Sequence, residues 1–181
     1  MKNRPAVIAS IVGIVMAALI AVFVIASVRD DEATDTNSIV GREMPELQAT
    51  DLQGRPFRSD DYLGQFLLVN FFATWCPPCV AEHPELKLFS ERHGQSGDAA
   101  VVSIAYDEPA PTVQQFFDDH GGEFPVLVGL GVDINVQFGV IGLPESYLVA
   151  PDGIVIKKFI GGITAAQVEA EMQRWNDEAG R

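Results

Sequence analysis

Both cysteines of the chain lie in Trp75-Cys76-Pro77-Pro78-Cys79, between a strand-like run, Phe66 to Phe72, and a helix-like run that begins at Pro77. Two thiols at this spacing and this junction read as a redox pair. On the first turn of a helix, side chains at i and i+3 share a face, near the ~5.5 Å Cα separation that a disulfide prefers. The pair can then open and close without refolding the domain. In a helix starting at Cys76 or Pro77, the first sulfur sits where backbone N–H groups are unpaired and the macrodipole is positive. Cys76 is therefore expected to be the exposed, anionic attacker, and Cys79 the buried sulfur that resolves. Pro77 and Pro78 suit a first turn, where missing N–H donors lose nothing, and they withhold two donors from the sulfurs. A single pair at this spacing closes too short a loop to act as a structural staple, so its expected role is catalytic.

Counting from Cys79, residues Glu82, Leu86 and Phe89 fall on one helical stripe that faces the core. A carboxylate there would have its pKa raised by desolvation and, one turn from Cys79, could pass protons to and from that sulfur. The alternative is a glutamate that snorkels to solvent, and the pattern carries both. His83 could assist the thiolate or bind metal. A zinc site would also need His93 or His120, and each of these stands one residue before a helix-ending glycine, where a cation suits the dipole. Covalent haem attachment needs C-x-x-C-H, and Val80 holds the histidine's place. No metal and no cofactor is expected. Pro84 interrupts the helical pattern and should kink it.

The elements that must position these groups can be read along the chain. Ala6 to Val28 is a run of 23 uncharged residues, close to the ~20 that span a bilayer as a helix and longer than the roughly 7 to 15 of a signal-peptide core. Lys2 and Arg4 precede it, so residues 1–5 are expected in the cytoplasm, 6–28 as a single transmembrane anchor, and the remainder outside. Cleavage near Ala26-Ser27 is the alternative. Residues 29–38 are polar and acidic and read as a flexible stalk. Residues 39–181 are enough chain for one domain with one core. The net charge is −13, and −15 once Lys2 and Arg4 are set aside. Such a surface repels phosphate backbones, which argues against a nucleic-acid partner.

Within the domain, Pro45 to Thr50 and Arg55 to Arg58 flank the turn Asp51-Leu52-Gln53-Gly54 as an N-terminal hairpin. Phe66 to Phe72 and Ala99 to Tyr106 are apolar strands covered on both faces, joined through a helix over Pro77–His93 that Gly94 closes. Strand, helix, strand implies a right-handed parallel crossover. Thr112 to Gln115 has capping-box spacing and predicts a helix ending at Gly121-Gly122. A strand over Phe124–Val128 follows, then an irregular stretch over Val132–Phe138. Glu145 to Val149 and Ile154 to Phe159 form an antiparallel hairpin about Pro151-Asp152-Gly153. A second capping box at Thr164 opens a last helix, whose Val168, Met172 and Trp175 face the sheet.

Taken together, Trp75 to Cys79, Pro84, and the proline of Gly142-Leu143-Pro144 before a strand resemble the thioredoxin superfamily from about Ile39 onward. Ala81-Glu82-His83-Pro84 and Gly142-Leu143-Pro144-Glu145-Ser146-Tyr147-Leu148 are similar to the membrane-anchored TlpA, ResA and CcmG (DsbE) kind of thiol-disulfide oxidoreductase. The resemblance implies an α/β fold: a thioredoxin-like mixed sheet flanked by helices, here with an N-terminal hairpin and an N-terminal transmembrane helix. It implies Cys76, Cys79 and Glu82 as catalytic residues, the two cysteines forming the redox-active disulfide. Trp75, Leu143, Pro144 and Glu145 would meet substrate. Leu143-Pro144 would be a cis peptide bond, which only X-Pro readily adopts, leaving the Leu143 backbone free to pair with an extended peptide. Exported protein thiols or disulfides, apocytochrome c among them, would be the partners, with a membrane thiol relay as electron donor in cytochrome c maturation.

Two further readings share the scaffold. An outward copper-binding chaperone would use Cys76, Cys79 and a histidine, although such chaperones usually space their cysteines C-x-x-x-C. A thiol peroxidase usually carries T-x-x-C, whereas residue 73 is Ala.

Overall fold

The computed structural model describes residues 39–180 and, upstream, the helical Gly13, Val15, Met16 and Ala18. Those four fall in a unit of their own, Met1–Thr36. The rest of the expected anchor, together with the stalk and residues 1–5, lies outside the described residues. No helix among the described residues is long and apolar enough to cross a membrane.

In the second unit, β1 (Gln48–Thr50) and β2 (Pro56–Arg58) form the N-terminal antiparallel hairpin, and a 3-10 turn at Ser59–Tyr62 follows. Asp51 shapes its bend: the carboxylate accepts the N–H groups of Gln53 at 3.0 Å and Arg55 at 2.8 Å, an Asx-type closure. Next come β3 (Phe66–Phe72), α1 (Pro77–His93), β4 (Ala99–Ala105) and α2 (Ala110–His120). The chain continues through β5 (Val126–Leu127), α3 (Val132–Phe138), β6 (Glu145–Val149), β7 (Val155–Ile160) and α4 (Ala165–Glu178).

The main sheet has the order β5-β4-β3-β6-β7. β4 runs parallel to β3 and to β5, while β6 is antiparallel to β3 and β7. The α/β fold is thus the expected mixed sheet flanked by helices. Every residue of β3 is buried, and strand alternation sends its side chains to two cores. Phe66, Leu68 and Phe72 join Leu86 and Phe89 of α1, Phe117 of α2 and Met172 of α4. Leu67, Val69 and Phe71 join Phe57 of the hairpin, Phe138 of α3 and Tyr147 of β6.

Three local expectations are corrected. α2 begins at Ala110 with Pro109 as its N-cap, so the Thr112 capping box does not open it. Val132–Phe138 is helical rather than irregular. The strand expected over Phe124–Val128 shortens to Val126–Leu127, because only these residues pair with Ser103 and Ile104. The second capping box is present as read: the Thr164 hydroxyl accepts the Gln167 N–H, and the Gln167 side chain accepts the Thr164 N–H at 2.8 Å.

Phe71 is fully buried, its ring edge-on to Phe138 at 5.1 Å and to Tyr147 at 5.7 Å. Phe71→Ala is expected to lower unfolding stability by about 3–5 kcal/mol. Urea unfolding checks this, through a lower midpoint at unchanged slope.

Candidate active site

β3 ends at Phe72 and the chain turns at once, the Cys76 N–H donating to the Ala73 carbonyl at 3.2 Å. Cys76 is the N-cap of α1, with extended φ −91° and ψ 106°. Pro77 and Pro78 fill the first helical positions and have no N–H to offer. The first amide beyond Cys76 is therefore that of Cys79, and it donates to the Cys76 sulfur at 3.3 Å. Cys76 and Cys79 form a disulfide with a Cα separation of 5.3 Å. One amide and the positive end of the helix thus stand ready to favour a thiolate on Cys76 once the bond opens.

The expectation of an exposed Cys76 is corrected for this oxidised form. Cys76 and Cys79 are 4% and 3% exposed, because both join the core cluster of α1. The exposed group of the motif is Trp75, at 66%. Upstream, the Glu108 carboxylate accepts the Thr74 N–H at 2.7 Å and the Thr74 hydroxyl. Glu108 was not visible as a site residue from the sequence. Its one signal is an acid just past the end of β4, the parallel neighbour of β3.

Glu82, on the same helix as the cysteines, is 3% exposed, so it does not snorkel. Oε1 accepts the Asn70 amide at 2.8 Å, and Oε2 accepts the Ile163 N–H at 3.1 Å. Burial pushes its pKa up to about 7, against the opposing pull of those two hydrogen bonds. Asn70 is fully buried. Its Nδ2 also donates to the Ser146 hydroxyl at 3.0 Å, and its Oδ1 accepts from the Ser103 hydroxyl at 3.3 Å. Asn70, Ser103 and Ser146 were missed as site residues, although a lone amide inside the apolar run Phe66 to Phe72 is a signal in itself.

Leu143-Pro144 is a cis peptide bond. Leu143 packs against the cluster that contains both cysteines, and the Pro144 carbonyl accepts the Gly161 N–H at 2.9 Å. Glu145 follows directly, but on the other face of the sheet from Glu82, beside its register partner Phe71. It is fully buried and meets the Lys158 ammonium at 3.2 Å, the Tyr147 hydroxyl at 2.8 Å and the Ile141 N–H at 3.2 Å. Lys158 also donates to the Gly139 carbonyl at 2.8 Å. Glu145 therefore bears on the Leu143-Pro144 loop through this anchorage rather than from an exposed surface. Breaking such a buried pair by removing one partner costs about 3–5 kcal/mol.

His83 turns away from the cysteines into the rings of Phe116, Phe117 and Phe124. Burial lowers its pKa. The neutral ring must then carry its proton on Nε2 to donate to the Gly121 carbonyl at 2.7 Å. It ties α1 to the end of α2.

The raised Glu82 pKa fixes the sign of a pH effect. The unfolded carboxyl titrates near 4.5 and the folded one near 7, so the folded state holds the extra proton between these values. The stability linked to it is complete below pH 4.5 and is lost as pH rises to about 7. Glu82→Gln should lack this loss and gain about 3 kcal/mol on the wild type, most of it between pH 5 and 7. Urea unfolding of the two oxidised proteins across that range measures the difference.

Comparison with known proteins places this arrangement. The family model described as Redoxin matches residues 39–172. The thiol-disulfide oxidoreductase ResA of Bacillus thuringiensis is 32% identical over 135 residues, 75% of this chain and 78% of that protein. ResA of Halalkalibacterium halodurans is 31% identical over 140 residues, 77% of this chain and 78% of that protein. Among solved structures, a thioredoxin-family thiol:disulfide interchange protein from Chlorobium tepidum superposes with a TM-score of 0.67 at 27% identity, covering 73% of this chain and 94% of that one. StoA from Bacillus subtilis shares the fold, with a TM-score of 0.62 at 23% identity over 71% of this chain and 96% of its own. With the Cys76–Cys79 pair closed at the head of α1, the chain belongs to the redoxin family of the thioredoxin superfamily and is a ResA-like thiol-disulfide oxidoreductase.

Proposed function

We propose that this oxidoreductase works outside the cytoplasmic membrane as a tethered reductase of disulfides in exported proteins. Apocytochrome c is among its substrates, in cytochrome c maturation, and a membrane thiol relay supplies the electrons. The uncharged run of 23 residues behind Lys2 and Arg4 supports the tether and its orientation. The observation that carries the chemistry is the pairing of an N-capping Cys76 with a buried carboxylate one turn beyond Cys79.

In the reduced enzyme, the Cys76 thiolate attacks one sulfur of the substrate disulfide. That bond breaks, a mixed disulfide forms, and the other substrate sulfur leaves as a thiolate that takes a proton from water. The Cys79 thiol then passes its proton to the Glu82 carboxylate and attacks the Cys76 sulfur. The Cys76–Cys79 bond forms, and the second substrate sulfur departs with the proton from Glu82. Two electrons have passed from the enzyme dithiol to the substrate.

Two measurements test the reading. Cys79→Ser in the full chain should freeze mixed disulfides on Cys76 with exported proteins, while Cys76→Ser should trap none; capture through Cys79 would reverse the assigned roles. Equilibration with thiol buffers should give a potential well below the roughly −120 mV of strong oxidants such as DsbA. A DsbA-like value would reverse the direction of electron flow.

A further inference from the structure

Asn70 faces Ser103 on one side and Ser146 on the other, as direct register partners in the β3–β4 and β3–β6 ladders. Side chains of register partners on one face stand about 4.5–5.5 Å apart at Cβ, so the three form a polar row across the middle of the sheet. α1 lies over that row and sets Glu82 upon its centre. All four side chains are at most 3% exposed. A buried amide left short of partners is destabilising, yet this one uses both Nδ2 protons and its Oδ1. Such an amide is locked in orientation. Its donor side faces Glu82, because an ionised carboxylate offers only acceptors, and the Ser103 hydroxyl can donate to the amide oxygen on the other side.

We propose that Asn70 is a positioning residue of the exchange reaction: its amide, oriented by Ser103 and Ser146, holds the Glu82 carboxylate in place as the proton carrier for Cys79. The proposal rests on the dithiol-exchange reading above. In the resolving step the proton leaves the Cys79 thiol and lands on a Glu82 oxygen. As the carboxylate becomes the neutral acid, the Asn70 contact changes from a charge-assisted hydrogen bond to an ordinary one. The amide therefore favours the anion that must exist before Cys79 can be deprotonated. Without it, Glu82 would keep only the Ile163 N–H and would hold its own proton to a higher pH. Because Ser146 lies two residues beyond Pro144, the same amide also links the proton carrier to the strand that starts at the cis-proline loop.

The groups around Glu82 keep the test simple. From α1 it has Cys79, which titrates once reduced, and Glu85, whose carboxylate accepts the Ala165 N–H at 3.0 Å. From β3 and β6 it meets the uncharged Asn70 and, through it, Ser146; from the segment after β7 it meets Gly162 and the Ile163 N–H. No charged side chain contributes to its shift.

The experiment follows the pH dependence of dithiol oxidation by a small model disulfide, using the reduced full-length protein. It compares the wild type, Glu82→Gln, Asn70→Leu, the double variant Asn70→Leu/Glu82→Gln, and Ser146→Ala. Glu82→Gln should remove one limb of the wild-type profile. Asn70→Leu should move that limb up by about one pH unit, making exchange about tenfold slower below it. The double variant should match Glu82→Gln alone. Ser146→Ala takes one partner from Asn70 and leaves the rest of the row, so it should shift the limb in the same direction by less. It decides the matter should Asn70→Leu fail to fold. An unmoved limb in Asn70→Leu and Ser146→Ala, with Glu82→Gln still removing it, overturns the role of Asn70 alone. A Glu82→Gln profile that superposes on the wild type overturns the proton-carrier reading beneath it.

Discussion

The central strand β3 must be covered on both faces and along its whole length, since all seven of its residues are buried. That requirement places α1, α2 and α4 in one layer and the N-terminal hairpin with α3 in the other. It also determines where the chain emerges. Past Phe72, a sharp turn into α1 brings Leu86 and Phe89 back over Phe66, Leu68 and Phe72. The turn leaves Cys76 at the helix start with its sulfur on the Cys79 amide.

The same requirement explains the cost and the use of Asn70. A strand enclosed on both sides cannot hydrate an amide, so the residue is tolerable only because β4, β6 and α1 each bring it a partner. The acid on α1 sits where burial opposes its charge while two donors partly restore it. These contributions leave Glu82 titrating near neutrality, where a group can both accept and release a proton. Glu145 is kept in the opposite layer, where Lys158 supplies its counter-charge. The two buried acids thus sit in different settings: Glu82 titrates near neutrality beside the cysteine helix, and Glu145 is ion-paired where it holds the loop of Leu143 and Pro144.

Local chemistry made much of this legible in advance. The apolar runs of β3 and β4, the Pro151-Asp152-Gly153 turn, the Thr164 capping box and the CxxC junction are each written in a few neighbouring residues. The α2 start was misread because Pro109 and Pro111 supply preorganised φ angles before Thr112 can cap. The short α3 escaped notice because its Val132 and Val136 are exposed, which blurs the amphipathic stripe. Glu82 was ambiguous for a different reason: periodicity gives a face, but only packing by residues 161–163 decides whether a side chain on that face reaches water. Ser103, Ser146, Glu108 and Lys158 were hidden, because their hydrogen-bond and ion-pair partners lie 13 to 76 residues away. Only the register of assembled strands brings them together. The Lys158 side chain is only 7% exposed, because it is drawn in to Glu145.

Glu145 and Ser146 are neighbours in sequence, yet they serve opposite layers, one bound to a lysine and the other to an amide. Slipping β6 by a single residue would swap them. Two carboxylates would then crowd the cysteine side with no cation between them, and the lysine on the far side would face a hydroxyl. Misregistered pairing at this edge of the disulfide is therefore opposed by electrostatics as well as by the oil-and-water pattern, so the strand proofreads its own alignment.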